Sequence, residues 1–198
     1  MPRTPSASAH RKVLEAALEL VAENGIEGTS MDAVARESGV SKATIYKHWA
    51  DKDALLLEML AEATGQRSRP AFDTGHTRAD MTALLSYRPH ENLDLRERIL
   101  PHVVAYSARN RTFGIAWRKM VMDPAVRELS HLIERGIGKR ELRADMNIDL
   151  ALGLLLGPML YWHIFQKDQN PPVDLRPRAE GVVEAFWRAF GTASSDSR

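Results

Sequence analysis

Six neighbouring side chains carry chemistry suited to reading a charged polymer: Lys42, Ala43, Thr44, Tyr46, Lys47 and His48. Ile45 and Trp49, four residues apart, fall on a separate stripe if the segment is helical. The opposite face then shows two ammonium groups, two hydroxyls, an imidazole and one small methyl. Cations and hydroxyls bind phosphates, a threonine methyl and hydroxyl touch base edges, and alanine permits close approach. This is the composition of a recognition helix lying in a DNA major groove. A solvated face of a small helical domain accounts for each residue singly. It does not account for the set together with the caps around it.

A helix of about eight residues does not stand alone in water, so neighbouring elements must hold it. Ser41 is its expected N-cap. Upstream, Thr29 is the expected N-cap of a helix through Met31, Val34 and Ala35, with Asp32 three residues on. Gly39 suits the left-handed position that ends that helix, and Val40 plugs the turn. Downstream, Asp51 caps a third element. Lys52 in its first turn, beside free backbone N–H groups, forms a candidate phosphate clamp. Earlier, Val13, Leu14, Ala17, Leu20 and Val21 make the stripe of an amphipathic helix from His10 to the break at Asn24-Gly25. Residues 1–9, MPRTPSASA, are a polar tail without the apolar core of a secretory signal, expected to be disordered. Arg3 in it is a candidate minor-groove arm.

The stretch ENGIEGTSMDAVARESGVSKATIYKHWADKDALL resembles the DNA-binding segment of the TetR family of bacterial transcriptional regulators. The matching residues are Gly28, Thr29, Ser30, Val34, Ala35, Gly39, Val40, Ser41, Thr44, Ile45, Tyr46, His48, Trp49, Lys52 and Leu55. Ser38 stands where alanine is usual. The face opposite the Ile45/Trp49 stripe and the resemblance together mark Thr29, Ser41, Lys42, Ala43, Thr44, Tyr46, Lys47, His48 and Lys52 as DNA-binding. Tyr46, Lys47, His48 and Lys52 would hold phosphates, and Lys42, Ala43 and Thr44 would face bases. The resemblance also implies a small ligand held between the helices that follow.

Those helices are punctuated by caps and breaks. Residues 65–78 form a basic loop with Pro70 and Gly75, and a short helix follows at about Ala79–Tyr87. Asp94 with Glu97 makes a capping box for a helix running to about Arg109, and Pro101 should kink it. Phe113 to Val121 is a further helix. Asp123-Pro124 then opens another, with Pro at its first position, through Leu129 and Ile133. KRELRADMN looks like the G-E-L-R connection common in the family, with Arg140 where Gly is usual. Residues 150–165, LALGLLLGPMLYWHIF, carry no charge and are too few to span a membrane. A helix apolar on all sides is buried on all sides, here against its own domain and a partner chain. Asp174 caps a last helix that closes at Gly191.

The chain is therefore expected to be all-α, with about nine helices. Residues 1–9 and 192–198 are expected tails, 10–54 the helix-turn-helix domain, and 55–191 the helical regulatory and dimerisation domain. One short recognition helix reads few base pairs, so a two-fold homodimer on a palindromic operator is expected. Its interface is assigned to Gly153, Gly157, Leu160, Ile164, Val182, Val183, Phe186, Trp187 and Phe190. The ligand, a small hydrophobic or amphipathic compound, is assigned to His102, Tyr106, Phe113, Trp117, Met120, Met159, Tyr161, Trp162 and His163. Its binding should release the operator, making the protein a repressor.

Composition narrows the other classes. Net charge is +1 over 198 residues. Residues 1–52 hold seven cations (Arg3, Arg11, Lys12, Arg36, Lys42, Lys47, Lys52) against seven carboxylates, so DNA affinity must come from local placement. The absence of cysteine excludes disulfides and Cys-based metal sites and fits a reducing cytoplasm. The seven histidines form no H-E-x-x-H or comparable spacing, and no G-x-S-x-G, phosphate loop or dinucleotide fingerprint is present. No metal or cofactor is expected. The competing readings are a helical structural or interaction module without DNA binding and a metal-free helical enzyme.

Overall fold

Helix starts in this chain are set by short polar side chains that accept from otherwise unpaired amides. Ser30, Ser41, Asp51 and Asn110 each do so, opening four helices. The computed structural model describes residues 5–65, 69–87, 93–165 and 175–192. Among these it contains α1 (Pro5–Gly28), α2 (Met31–Ser38), α3 (Lys42–His48), α4 (Lys52–Ala63), α5 (Thr77–Ser86), α6 (Leu93–Arg109), α7 (Arg111–Trp117), α8 (Asp123–Gly138), α9 (Ile148–Phe165) and α10 (Arg176–Phe190). The only sheet-like pairing among the described residues is an isolated bridge between Leu142 and Gly191. The all-α expectation holds.

The helices form two packing units. In the first, α1–α4 share a core with α6 and α7. Val13, Val21, Val34, Ile45, Trp49, Leu55 and Met59 pack there with Ile99, Val103 and Phe113. Each fully buried aliphatic or aromatic side chain contributes about 1.5–3 kcal/mol. That shared core, and not the eight-residue α2 or seven-residue α3, stabilises the segment. It runs across the division expected between residues 54 and 55, because Leu55, Leu56, Met59 and Leu60 all bury into it.

The second unit comprises α5, α8, α9 and α10, packed around Met81, Leu84, Leu129, Ile133, Leu155, Ala179, Val183 and Phe186. A buried polar knot fastens α5 to α8. Asp80, 1 % exposed, accepts from the Thr74 hydroxyl at 2.6 Å, the Thr74 amide at 3.1 Å, and the Arg135 guanidinium. Arg135 also reaches Asp73 at 2.6 Å. Burial pushes the Asp80 carboxyl up, and the bonds from Thr74 and Arg135 more than offset this, so its pKa lies below the ordinary value.

Several expected boundaries move. The N-terminal tail is shorter than nine residues, because α1 begins at Pro5, where a fixed φ suits the first helical turn. The break at Gly25 is real: its φ of 71° and ψ of 172° interrupt α1. Asp123-Pro124 does not start a separate helix. The helix runs on from α7 through a π-turn at Arg118–Met122 into α8. Pro124 lacks the amide that an α-register would require, and the wider π-register stands directly before it. The Asp94–Glu97 capping box, the Asp174 cap and the tail beyond Thr192 lie outside the side chains described.

Candidate nucleic-acid interface

α2 and α3 form the expected pair. Gly39, left-handed at φ 67°, ends α2, and Ser41 opens α3 by accepting from the Thr44 amide at 3.2 Å. Ile45 and Trp49 are buried, while Ser41, Lys42, Ala43, Thr44, Tyr46, Lys47 and His48 are exposed. Tyr46 keeps 52 % of its surface in solvent, a large apolar ring held outside the core. Lys42 is anchored to α2 by Asp32 at 2.7 Å. The Thr44 hydroxyl lies 2.9 Å from that of Ser41.

Two residues assigned to this face do not present their side chains there. Thr29 is neither the N-cap of α2, which is Ser30, nor exposed. It is 2 % exposed, and its hydroxyl donates to the Gly25 carbonyl at 2.8 Å, closing the turn after the α1 break. With a serine one position later, Thr29 is free to serve that turn. Lys52 turns its ammonium inward, donating to the Ile26 carbonyl at 2.9 Å, 5.8 Å from the centre of the Tyr106 ring. Without DNA, its cation satisfies this backbone acceptor.

The start of α4, four residues past α3, is gripped by α6 and α7. Asp53 accepts from the Tyr106 hydroxyl at 2.9 Å and the Asn110 amide at 3.0 Å. The same Asn110 caps α7 by accepting from the Phe113 amide at 3.0 Å. Burial raises the Tyr106 pKa, the Asn110 contact opposes this, and Asp53 raises it further. The phenol therefore stays a neutral donor to Asp53. Arg109 pairs with Glu27 at 2.8 Å. At the other end of α3, Trp49 donates its indole N–H to Glu58 at 2.8 Å, and His10 lies 3.0 Å from the same carboxylate. Asp53, Asn110, His10 and Glu58 carry no signal in sequence, because their partners are 9 to 57 positions away.

The residues assigned to a ligand separate. His102 and Tyr106 line a cleft of about 230 Å³ with Asn24, Gly25, Ile26, Glu27, Ala105 and Arg109. Gly25 is required there twice over. Its φ is left-handed, and a Cβ would come within 3.2 Å of the His102 ring. Phe113 is instead a buried core residue set edge-on against Tyr106 at 4.9 Å, and Trp117 packs beside it. Met120 is exposed. Met159 is buried in the second unit's core, Trp162 lies under Arg178 at 5.2 Å, and Tyr161 is exposed. The His163 side chain lies outside the described residues. The expected lining is thus narrowed to His102 and Tyr106. The cleft wall mixes polar and apolar groups, and the other aromatic and sulfur side chains described fill cores or stand in solvent.

The residues assigned to the interface divide between core and surface. Val182, Val183 and Phe186 face inward and form the core of their own unit. Trp187 and Phe190 are half-buried against it. The outward row is on α9: Leu150, Leu154, Leu160, Tyr161 and Phe165 are exposed, Phe165 to 70 %, and Ile164 is half-buried. Gly153 and Gly157 lie in this row with open space over both. On α10 the exposed positions include Gly181, Ala185 and Ala189. No helix among the described residues is long and apolar enough to cross a membrane.

Residues 13–59 match the model for bacterial regulatory proteins of the tetR family, and residues 71–186 match that for the tetracyclin repressor-like C-terminal domain. An uncharacterized HTH-type transcriptional regulator of Bacillus subtilis, YdeS, is 26 % identical over 95 % of this chain and 93 % of its own. The DNA-binding transcriptional repressor TetR of Mycobacteroides abscessus is 27 % identical over 70 % of this chain and 73 % of its own. Among solved structures, the transcriptional regulator FadR from Bacillus subtilis in complex with stearoyl-CoA superposes with a TM-score of 0.65. It covers 89 % of this chain and 96 % of its own at 17 % identity.

Proposed function

Since the chain belongs to the TetR family of bacterial transcriptional regulators and is a DNA-binding regulator, we propose that it is a homodimeric repressor. It binds a palindromic operator and is released by a small amphipathic ligand. The observation that carries the reading is the exposed face of α3, six chemically apt side chains around a two-residue buried stripe. In this reading Lys42, Ala43 and Thr44 meet base edges, and Ser41, Tyr46, Lys47 and His48 meet phosphates. Lys52 and Thr29 act behind them, as supports of the turn at 25–29.

Dimerisation is supported by the apolar row on α9, which a monomer would leave in water. Two copies would place two α3 helices on half-sites one helical turn apart. Ligand response is supported by the grip of Tyr106 and Asn110 on Asp53, which ties α6 and α7 to the helix following α3. A ligand contacting His102 and Tyr106 would disturb that grip and change the spacing of the recognition helices. A coupling of about 1–3 kcal/mol suffices, and operator must weaken the ligand by the same factor. The FadR complex with stearoyl-CoA makes acyl-CoA a first compound to try.

The test begins with a duplex selected by the protein from a random-sequence library. Lys47→Ala should weaken all duplexes alike and lower the slope of log affinity against log salt by about one. Thr44→Val should relax preference at one base pair, by about 1–3 kcal/mol. A Lys47→Ala protein with the wild-type salt slope would remove α3 from the interface.

A further inference from the structure

The end of the recognition helix is enclosed by a cluster that its own sequence does not contain. His10, from the first turns of α1, lays its ring against Trp49 with centroids 4.6 Å apart at 31°. It meets the exposed His48 ring edge-on at 5.5 Å and 81°. Its Nε2 lies 3.0 Å from Glu58 Oε1 on α4. The other oxygen of that carboxylate holds the Trp49 indole. With Glu58 ionised, Nε2 must carry a proton to make this contact, in either the neutral or the cationic ring.

We propose that His10 is a positioning residue for DNA recognition, one that holds the C-terminal end of α3 against α4 and makes DNA binding proton-linked. The proposal rests on α3 being the DNA-reading helix. Two arguments carry it. First, His48 is the last residue of α3, and its ring and that of Trp49 pack on the same His10. Removing His10 would loosen the end of a seven-residue helix that cannot hold itself. Second, among the described residues Glu58 on α4 and His48 on α3 face His10, while Arg11 on its own helix is engaged by Glu15 at 2.9 Å. Without DNA, two imidazolium rings at this distance repel. Phosphates beside His48 remove that conflict and favour the doubly charged form, so binding takes up protons.

The probe is the duplex selected by the wild-type protein, titrated between pH 5.5 and 8.5. Wild-type affinity should rise as pH falls. His10→Ala, which loses ring contact and hydrogen bond, should bind about tenfold more weakly at pH 8.5, and its deficit should grow as pH falls. His10→Gln keeps a donor for Glu58 but cannot ionise. Lacking the ring, it should recover only the hydrogen-bonded part of the loss, about threefold weaker than wild type at pH 8.5 and further behind at pH 6. His10→Ala binding like wild type at every pH overturns the proposal, as does His10→Gln with the wild-type pH profile. If Lys47→Ala and His48→Gln are also silent, the reading of α3 fails instead. Should the variants not fold, imidazole NMR on the wild-type protein decides. The His10 titration must move to higher pH when duplex is added, and an unmoved titration overturns the proposal.

Discussion

At the scale of single residues, two positions show local preference overruled by a tertiary demand. Arg140 has φ 58°, the left-handed conformation that follows a helix end and favours glycine. The family's connection has glycine at this point, so the departure is visible in sequence and its cost in structure. Arg140→Gly should raise stability by about 0.5–1 kcal/mol in denaturant titration, and an unchanged midpoint would show the site carries no strain. Asp80 is the opposite case, a buried carboxylate whose partners arrive from the loop before it and from α8. Asp80→Asn leaves Arg135 without one of its two carboxylates and should cost about 2–4 kcal/mol at neutral pH. Its lowered pKa fixes the sign of the pH dependence. The contribution is complete above the unfolded-state value and is lost as pH falls through the lower folded value. Stability measured from pH 7 down to pH 3 should therefore fall less steeply in the asparagine variant. Parallel curves would place the acid sensitivity elsewhere.

At the scale of elements, what the chain discloses depends on how far a determinant lies from its partner. Ser41, Asp51 and Gly39 act within three residues and are legible, as are the buried pair Ile45 and Trp49. The choice between Thr29 and Ser30 as cap was not, because it turns on a carbonyl at Gly25 exposed by the break in α1. Nor was the inward turn of Lys52, which answers the Ile26 carbonyl 26 positions away. The stripe on α10 was legible as apolar, but the chain does not say which partner it meets, and Val183 and Phe186 serve their own unit. Two element-level predictions follow from the grips on α3 and α4. Ser41→Ala removes the cap of a seven-residue helix and should cost about 1 kcal/mol, with DNA affinity falling more than global stability. Hydrogen exchange at the Thr44 amide, now open, measures the local part. Tyr106→Phe deletes the bond to Asp53 while keeping the ring against Phe113. It should lower stability by about 1 kcal/mol and shrink the effect of any inducing ligand on operator affinity. Full ligand response in Tyr106→Phe would show that the signal does not run through Asp53.

At the scale of the whole molecule, the chain passes between its two packing units after Arg69, Tyr87 and Met122. A linear division at residue 54 misses this, since contiguous sequence does not reveal that α6 and α7 return to the first core. What one chain leaves incomplete is the outer face of α9. Leu150, Leu154, Leu160 and Tyr161 are each at least 40 % exposed, and Gly153 and Gly157 between them keep the surface low enough for a helix to approach. Isolated apolar residues on a surface are ordinary, but a continuous row on one helix is an interaction face. A copy related by a two-fold axis offers the same row in return, so α9 and α10 from each chain would close a four-helix arrangement. Leu154→Glu sets like charges facing across that axis without touching the core of its own unit, unlike a change at Phe186, which is 2 % exposed and would unfold the unit. Light scattering at micromolar concentration should show wild type as a dimer and Leu154→Glu as a monomer with its helical circular dichroism intact. Binding to the palindromic duplex should fall by at least two orders of magnitude, since a lone α3 loses the second half-site. A monomeric Leu154→Glu protein that still bound the full palindrome like wild type would mean that recognition does not require the pair.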